Sequence, residues 1–401
     1  MKKIILLLQL VTTTTVILFF NGCSNSPNVR HTPAFSAVSA QTWQSATHNP
    51  SKPQRIALLL PLSGPYHDYA NAIRNGFFTE YYTQKNQTGY MPTITVFDTQ
   101  GKNIRDVYET AVKQGADFIV GPLDKPSVTT LATGGTTAVT TLALNATPNE
   151  VRISNTALYE FALSPTDEAQ QAAIKAQQDH HHNVIVIAPQ GALGQRMVNA
   201  FSSQWKQQNG NIAAITYYGN IATLSKNISS VLGVNDAYQN AHALKNTLRE
   251  NFRFIPQRRQ DFDSIFLVAN PKMARQIMPL LQFYFAGNVA TYSTSQIYNG
   301  TADADLDGIQ FCDMPWTLNS NSFTATQNKI KMLWPDNYPR LSKFYAMGVD
   351  AFTLVSQFKA LQSQPNTGMP AATGTLYLTP QHYIYRQLVW AKLINGTPQL
   401  I

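Results

Sequence analysis

The chain has 401 residues, 44% of them hydrophobic, and carries a formal net charge of +8 at pH 7. That is enough apolar material for two lobes with separate cores. Its two cysteines, Cys23 and Cys312, exclude a disulfide-rich scaffold. The positive charge favours an anionic polymer, a membrane surface or a protein as partner.

The N-terminus has the organisation of an export signal. Two lysines precede an apolar stretch at 4–20, and an Asn-Gly pair then precedes Cys23. Small or polar residues before a cysteine are typical of a bacterial lipoprotein signal, so we expect 1–22 to be a signal peptide and Cys23 to carry the lipid. The alternative is an uncleaved membrane anchor, for which about 17 residues are at the lower limit. Export argues against a nucleic-acid partner, and we expect none.

Residues 23–52 are predicted to form a tether, because they are rich in Ser, Thr, Asn, Gln and Pro and show no apolar periodicity. About 30 such residues reach about 100 Å when fully extended and average near 30 Å as a flexible coil. The globular part therefore begins at residue 53.

From residue 53 onward, apolar β-rich runs alternate with segments of helical periodicity. The first part contains predicted strands and helices at 55–60, 69–81, 93–98, 104–114, 118–123 and 141–144. Ser164-Pro165 is typical of a helix start, and we expect the chain to cross into a second lobe there.

The second lobe repeats the alternation. Strands are predicted at 183–188, 264–269, 290–295 and 311–316. Pro271 is expected to begin a helix whose apolar residues recur at spacings of three and four. The chain then returns through a helix at 345–361 and strands at 375–378 and 386–393.

This βα repetition predicts parallel sheets with helices on both faces, arranged as two discontinuous Rossmann-like lobes. About three crossovers would form the hinge between the lobes. We assign 53–164 and 316–365 to lobe 1, and 165–315 and 366–401 to lobe 2. Ligands of such folds lie at the carboxyl ends of the strands, which here would face each other across a cleft.

Several phrases of the sequence resemble one family. They are IALLLPLSGPY and AIRNGF near the start of lobe 1, FALSPTDEA at the first crossing, and DFDSIFLVANP, LLQFYFAG, YSTSQIY and GIQFCDMPW in lobe 2. The chain resembles the LppC/LpoA family of outer-membrane lipoprotein activators of penicillin-binding proteins. The resemblance implies a type I periplasmic-binding-protein-like fold.

The resemblance also implies a function. The chain is expected to bind a bifunctional class A penicillin-binding protein and stimulate peptidoglycan cross-linking, with peptidoglycan as an additional partner. Ser24 after the lipidated cysteine implies anchoring at the periplasmic face of the outer membrane. Longer members carry an N-terminal helical-repeat domain, whereas here only the tether precedes the globular part.

A set of hydroxyl, amide and charged residues follows the predicted strands and is expected to line the cleft. It comprises Ser63, Gly64, Tyr66, Asp124, Lys125, Asn145, Thr147 and Tyr298. One interpretation is that they bind a small polar ligand. The other, which we favour, is turn and helix-capping chemistry, because such residues recur in any βα loop.

A basic group on lobe 2 is a candidate partner surface. It comprises Arg253, Arg258, Arg259, Lys272 and Arg275. The alternative is an ordinary solvated surface, because acidic residues lie nearby in the sequence.

Motifs for catalysis and metal binding do not emerge from the sequence. We find no nucleophile elbow, HExxH, Walker A loop or Cys-His arrangement, so no enzyme and no cofactor are expected. Asp303, Asp305 and Asp307 imitate the start of a calcium loop, but the twelfth position is Met314 where such a loop needs Glu. The histidines at 180–182 have no second ligand cluster, and no metal site is expected.

The rival hypothesis is a tethered solute-binding protein or sensor for an amino acid, a peptide or a murein fragment. It predicts lobe closure around a bound small molecule. The activator hypothesis predicts a protein interface instead.

Overall fold

The computed structural model describes Trp43 and residues 52–135, 137–148, 151–249, 253–255, 257–318 and 321–401. The predicted signal peptide, Cys23 and most of the predicted tether lie outside the described residues. Within those ranges, every helix is too short or too polar to cross a bilayer.

Lobe 1 begins as a regular βα alternation. Its elements are β1 (Arg55–Leu60), α1 (His67–Thr88), β2 (Thr93–Asp98), α2 (Ile104–Lys113), β3 (Phe118–Val120), α3 (Lys125–Thr133), β4 (Thr141–Ala143) and β5 (Leu158–Phe161). These five strands pair in parallel. After its first residue β1 is fully buried, as expected of a strand covered by helices on both faces.

Lobe 2 follows the first crossing. Its elements are α4 (Pro165–Gln178), β6 (Asn183–Pro189), α5 (Ala192–Gln207), β7 (Asn211–Tyr218), α6 (Ile221–Val231), α7 (Val234–Leu248), β8 (Ser264–Leu267), α8 (Pro271–Phe283), β9 (Ala290–Ser293) and β10 (Gln310–Asp313). The predicted helix start at Pro271 is confirmed, since Asn270 caps α8 by accepting a hydrogen bond from the Met273 N–H at 3.0 Å.

The final segment returns to lobe 1 and then divides between the lobes. It contains α9 (Thr324–Leu333), α10 (Tyr338–Ser363), β11 (Met369–Ala371), β12 (Gly374–Leu378), β13 (Tyr383–Gln387), β14 (Val389–Ile394) and β15 (Thr397–Leu400). The strand order is β11-β12-β13-β5-β4-β3-β1-β2 in the sheet of lobe 1 and β15-β14-β10-β9-β8-β6-β7 in that of lobe 2.

This division corrects the assignment of 366–401 to lobe 2. β11, β12 and β13 extend the sheet of lobe 1, and only β14 and β15 belong to lobe 2. The predicted strand at 386–393 is therefore two strands that belong to different sheets and are separated by Leu388. The third crossover of the hinge is this single residue, which is buried.

Each lobe has an aromatic-rich core. In lobe 1, α1 packs against α10, and Phe77 meets Phe352 edge to face with ring centroids 5.1 Å apart. The two helices approach so closely that a Cβ at Gly348 would overlap the carbonyl oxygen of Ile73. In lobe 2, the ring of Phe201 stacks on that of Phe266 at 4.2 Å. The predicted two-lobed α/β fold is confirmed.

The three crossovers fix the orientation of both sheets. The chain leaves β5 and β10 at their carboxyl ends, and β13 runs parallel to β5 while β14 runs antiparallel to β10. All three crossovers therefore lie where the carboxyl ends of the two sheets meet. The amino ends of the strands point outward, at opposite poles of the molecule.

Candidate functional site: the junction between the lobes and the surface of lobe 2

The β1–α1 loop places three of the predicted cleft residues at the carboxyl edge of the lobe 1 sheet. The Ser63 hydroxyl donates a hydrogen bond to Asp98 at 3.1 Å. Gly64 has φ +71°, a left-handed conformation that favours glycine, whereas a Cβ there would meet only the movable end of the Gln100 side chain. Tyr66 is exposed. Asp98, which ends β2 and holds this loop, was not among the predicted residues.

The remaining lobe 1 residues of the predicted cleft lie along the same edge and contact their own loops. Asp124 caps α3 by accepting a backbone N–H at 2.9 Å, and Lys125 beside it is exposed. The Asn145 amide donates to the carbonyl of the β3–α3 loop at 2.9 Å. The Thr147 N–H donates to the buried Glu160 carboxylate at 2.7 Å. The contacts of Asp124 and Asn145 are of the capping and turn type, whereas the Thr147 backbone is bound by a carboxylate of β5.

Tyr298 lies on the other lobe, after β9. Its ring is half-buried and 5.7 Å from that of Phe311, and burial raises the pKa of its hydroxyl. The structure thus places the predicted cleft residues along the two facing edges, with Tyr298 alone on the side of lobe 2.

Hydrogen bonds from α4 join the two lobes at the crossovers. The Asp167 carboxylate accepts a short hydrogen bond from the hydroxyl of Tyr383 on β13. The Gln171 amide donates to the carbonyl of Arg386 and accepts from the N–H of Leu388, both at 2.9 Å. Gln171 therefore binds the backbone on either side of Gln387, at the end of β13 and at the third crossover.

A second set of polar contacts lies beside the first, and its carboxylates are buried. Lys343 of α10 forms an ion pair with Asp313 at the end of β10, with an N–O distance of 3.0 Å. Glu168 accepts hydrogen bonds from the backbone N–H and the hydroxyl of Ser295, at 3.0 and 3.1 Å. Burial raises the pKa of both carboxyls. Cys312 is fully buried next to them, and burial raises the pKa of its thiol.

An apolar cluster fills the rest of the junction. It combines buried residues from α1, α9, α10 and the β11–β12 turn of lobe 1 with residues from β10 and from the second and third crossovers. They are Ala72, Cys312, Met314, Trp316, Ile330, Leu341, Tyr345, Ala346, Val349, Ala372 and Leu388. The backbone N–H of Trp316 also donates to the carbonyl of Ala372 at 3.0 Å. The junction is thus a buried apolar cluster to which both lobes contribute, and shared burial of this kind links the positions of the two lobes.

The predicted basic group divides into two places. Next to β8, Arg258 donates to the carbonyl of Phe285 at 3.0 Å, and its guanidinium lies 4.7 Å from the ring centroid of Phe262. Arg259 forms a two-pronged ion pair with Asp261, at 2.6 and 2.5 Å. Arg253 is exposed.

On α8, Lys272 is exposed, and Arg275 pairs with Asp303 at 2.6 Å. Asp307 accepts the backbone N–H groups of Asn395 and Gly396, at 3.0 and 2.8 Å. These aspartates hold the loop before β10 in place. Among the described residues, no three His, Cys, Asp or Glu side chains come together as a metal site.

A cavity of about 290 Å³ lies at the amino edge of the lobe 1 sheet. It is lined by the entry to β1, the start of β3 and the last turns of α10, at Lys52, Pro53, Gln54, Asp117, Phe118, Thr140, Val355, Ser356, Gln357, Phe358, Lys359, Ala360 and Gln362. It is remote from the crossovers, because these lie at the carboxyl edge.

Comparison with known proteins agrees with the resemblance. The profile of the family described as "LppC putative lipoprotein" matches residues 28–396. "Penicillin-binding protein activator LpoA" of Vibrio antiquarius is 30% identical over 352 residues, which cover 85% of this chain and 57% of that protein. Its counterpart in Aliivibrio fischeri is 29% identical over 346 residues, or 85% and 56%. The chain thus spans about half the length of the curated relatives it matches.

Solved structures give the same result. The "LpoA (YraM) C-domain from Haemophilus influenzae, a regulator of PBP1A" aligns with a TM-score of 0.67 and 29% identity, over 86% of this chain and 99% of that one. A "putative branched-chain amino acid ABC transporter" of Rhodospirillum rubrum aligns with a TM-score of 0.65 at 14% identity, over 86% and 99%, which supports the fold alone. On the profile match, which covers most of its length, this chain belongs to the LppC lipoprotein family.

Proposed function

We propose that this chain is a non-catalytic lipoprotein, held at the outer membrane by a lipid on Cys23, that binds and activates a bifunctional class A penicillin-binding protein. Its relatives are named penicillin-binding protein activators, and one solved relative is described as a regulator of PBP1A. In this proposal the chain regulates peptidoglycan synthesis from the periplasmic face of the membrane, with the synthase as its principal partner and peptidoglycan as an additional one.

The packed junction is the observation that favours a protein partner over a solute. A solute-binding protein closes its lobes about a hinge, and closure changes the contacts at the crossovers. Here those contacts are buried hydrogen bonds, the Asp313–Lys343 ion pair and an apolar cluster. Moving the lobes would separate buried polar groups from their partners, at a cost of about 1–3 kcal/mol for each group. A body with fixed lobes suits docking to another protein.

Activation then needs no chemistry from this chain. A partner that exchanges between inactive and active conformations shifts toward the one that the chain binds more tightly, by the difference in binding free energy. The quantity to be explained is therefore an interface that discriminates between two states of the synthase.

Calorimetry tests the proposal. The full chain in detergent is titrated into the periplasmic region of each class A penicillin-binding protein of the same organism. We expect saturable binding at micromolar affinity or tighter, together with faster cross-linking in a reconstituted synthesis assay. Amino acids, short peptides and murein fragments are titrated in parallel. Binding of one of these solutes, with no binding to any synthase, would move the function to a tethered solute receptor.

A further inference from the structure

An exposed surface of aromatic, aliphatic and basic side chains lies on lobe 2. We name it the distal patch, and it consists of the exposed Tyr238, Arg253, Ile255, Phe283 and Phe285 together with the half-buried Arg258. The exposed fractions are 71% for Phe283, 60% for Ile255 and 50% for Phe285. Aromatic residues and arginine are the residue types enriched at protein interfaces and at their energetic hot spots.

The patch draws its residues from three neighbouring parts of lobe 2, which are α7, the segment before β8 and the end of α8. The ring of Tyr238 on α7 contacts that of Phe254, with centroids 5.8 Å apart. Arg258, four residues further on, donates its Nε–H to the carbonyl of Phe285 just after α8. Phe283 ends the same helix. Phe254 and Arg258 therefore contact α7 and the end of α8, respectively.

The patch lies at the pole of lobe 2 that faces away from lobe 1. The segment 253–262 leads into the amino end of β8, and α8 ends shortly before the amino end of β9. The crossovers occupy the opposite, carboxyl edge. In lobe 1, the chain arriving from Cys23 enters at the amino end of β1, where Asp117 accepts the N–H groups of Gln54 and Arg55 at 2.8 and 2.9 Å. The two poles are therefore the chain's entry point and the distal patch.

Phe285 supplies an independent observation, because its backbone is strained. It has φ +65° at the end of α8, where the N–H of Ala286 donates to the carbonyl of Leu281 at 2.7 Å. That is the helix-ending position usually occupied by glycine, since a bulky side chain is rare in the left-handed region. Folding alone would favour glycine here. Arg258 fixes the backbone of Phe285 by its hydrogen bond to the carbonyl, and the ring is half exposed. Backbone strain of this kind is found at functional sites, where it lowers stability in exchange for a required geometry.

The charge of the patch indicates the character of its partner. Residues 234–262 contain five Lys and Arg against three Asp and Glu. Arg259 is paired with Asp261, whereas the described residues include no carboxylate in an ion pair with Arg258. The complement of such a surface is an apolar pocket with an acidic rim.

We propose that the distal patch is the surface on which the class A penicillin-binding protein docks, through an apolar pocket rimmed by Asp and Glu. This inference rests on the proposed function and assigns synthase binding to one surface of lobe 2. Because the chain enters at one pole and the partner docks at the other, the two-lobed body extends from the lipid anchor toward the partner. The fixed junction keeps the distance between the two poles constant.

The test uses substitutions that spare the fold. Phe285→Gly removes the ring and relieves the backbone strain, and Phe283→Ser removes the neighbouring exposed ring. The matched control is Met332→Ser with Leu333→Ser, which removes two exposed apolar side chains from α9 of lobe 1. Each full chain is measured in detergent by interferometry against the immobilised periplasmic region of the synthase, and its thermal unfolding midpoint is recorded.

We expect F283S/F285G to weaken synthase binding about tenfold or more, with an unfolding midpoint equal to or above that of the wild type. The control pair should bind as the wild type does. Arg253→Glu should slow association, most strongly at low salt. If the wild type binds and F283S/F285G binds within about twofold of it, the patch is refuted while the proposed function stands. If the wild type binds no synthase, the proposed function fails first. Self-association of the chain that is lost in F283S/F285G, with synthase binding unchanged, would make a second copy the occupant.

Discussion

Asp350 is predicted to make the stability of lobe 1 depend on pH. It lies within α10, 1% exposed, and its two carboxylate oxygens accept the N–H groups of Ala372 and Thr373, at 2.7 and 2.6 Å. It thereby ties the helix to the turn between β11 and β12. Burial raises the pKa of Asp350 to about 6 from an ordinary 3.8, and nearby Glu80 adds to the effect. The perturbation that tests this is Asp350→Asn.

The magnitude follows from the two pKa values. Because the folded state binds the proton more tightly, this contribution to stability is fully present below pH 3.8 and is lost as pH rises through 6. At about 1.4 kcal/mol per pKa unit, the whole loss is about 3 kcal/mol. Between pH 4.5 and 7.5 it is about 2 kcal/mol, since part of the loss has already occurred at pH 4.5.

Urea unfolding of both proteins from pH 4.5 to 7.5 measures the effect. Asparagine keeps one acceptor and does not titrate, so its own cost is nearly constant with pH. The unfolding free energy of the wild type minus that of D350N should fall by about 2 kcal/mol over this range. Curves that stay parallel would refute the reasoning, and a difference that rises with pH would show that the two N–H groups stabilise the charged form more than burial disfavours it.

Three further substitutions test other parts of the fold. Gly348→Ala should destabilise the chain by about 1–3 kcal/mol in urea unfolding, because the added methyl overlaps the backbone of Ile73. A neutral result would mean that α1 and α10 can move apart. Phe201→Ala should cost about 3–5 kcal/mol by the same assay, since the ring is fully buried. A cost below about 1 kcal/mol would mean that lobe 2 repacks around the lost ring. Lys343→Met leaves Asp313 buried without its cation, so its destabilisation should be larger at pH 8 than at pH 5. Equal losses at both pH values would contradict the ion pair.

Local signals sufficed to predict most elements of this chain. The strand at 55–60 and the helix start at Pro271 carry their signal in adjacent residues, namely an apolar run and a capping Asn-Pro pair. The predicted strand at 386–393 was wrong because the apolar pattern runs unbroken through Leu388. Its division depends on two partners far apart in the chain, β5 for the first half and β10 for the second. Pairing between strands so far apart in the chain gives no signal in the local sequence pattern.

The junction and the distal patch were harder to predict for the same reason. Ser164-Pro165 indicated a helix with acidic residues in its first turn, but the burial of Glu168 depends on residues far away in sequence, such as Ser295, 127 residues on, which hydrogen-bonds its carboxylate. Similarly, the sequence placed Arg258 in a basic group without showing that it holds the carbonyl of Phe285. The exposure of Phe283 depends on how α8 packs, and hydrophobicity alone would have placed that residue in the core.

The two proposals give the junction and the distal patch complementary roles, since the junction fixes the distance between the poles and the patch binds the partner. A two-lobed receptor needs crossovers that yield, whereas a spacer needs crossovers that resist bending. Gln171, Asp167 and the buried side chains around Leu388 supply that resistance at the carboxyl edges. The outward amino edges are then free for attachment at one pole and docking at the other. Loosening the junction should therefore weaken activation of the synthase more than it weakens binding, because docking needs only the patch, whereas activation needs the distance between the poles to be held.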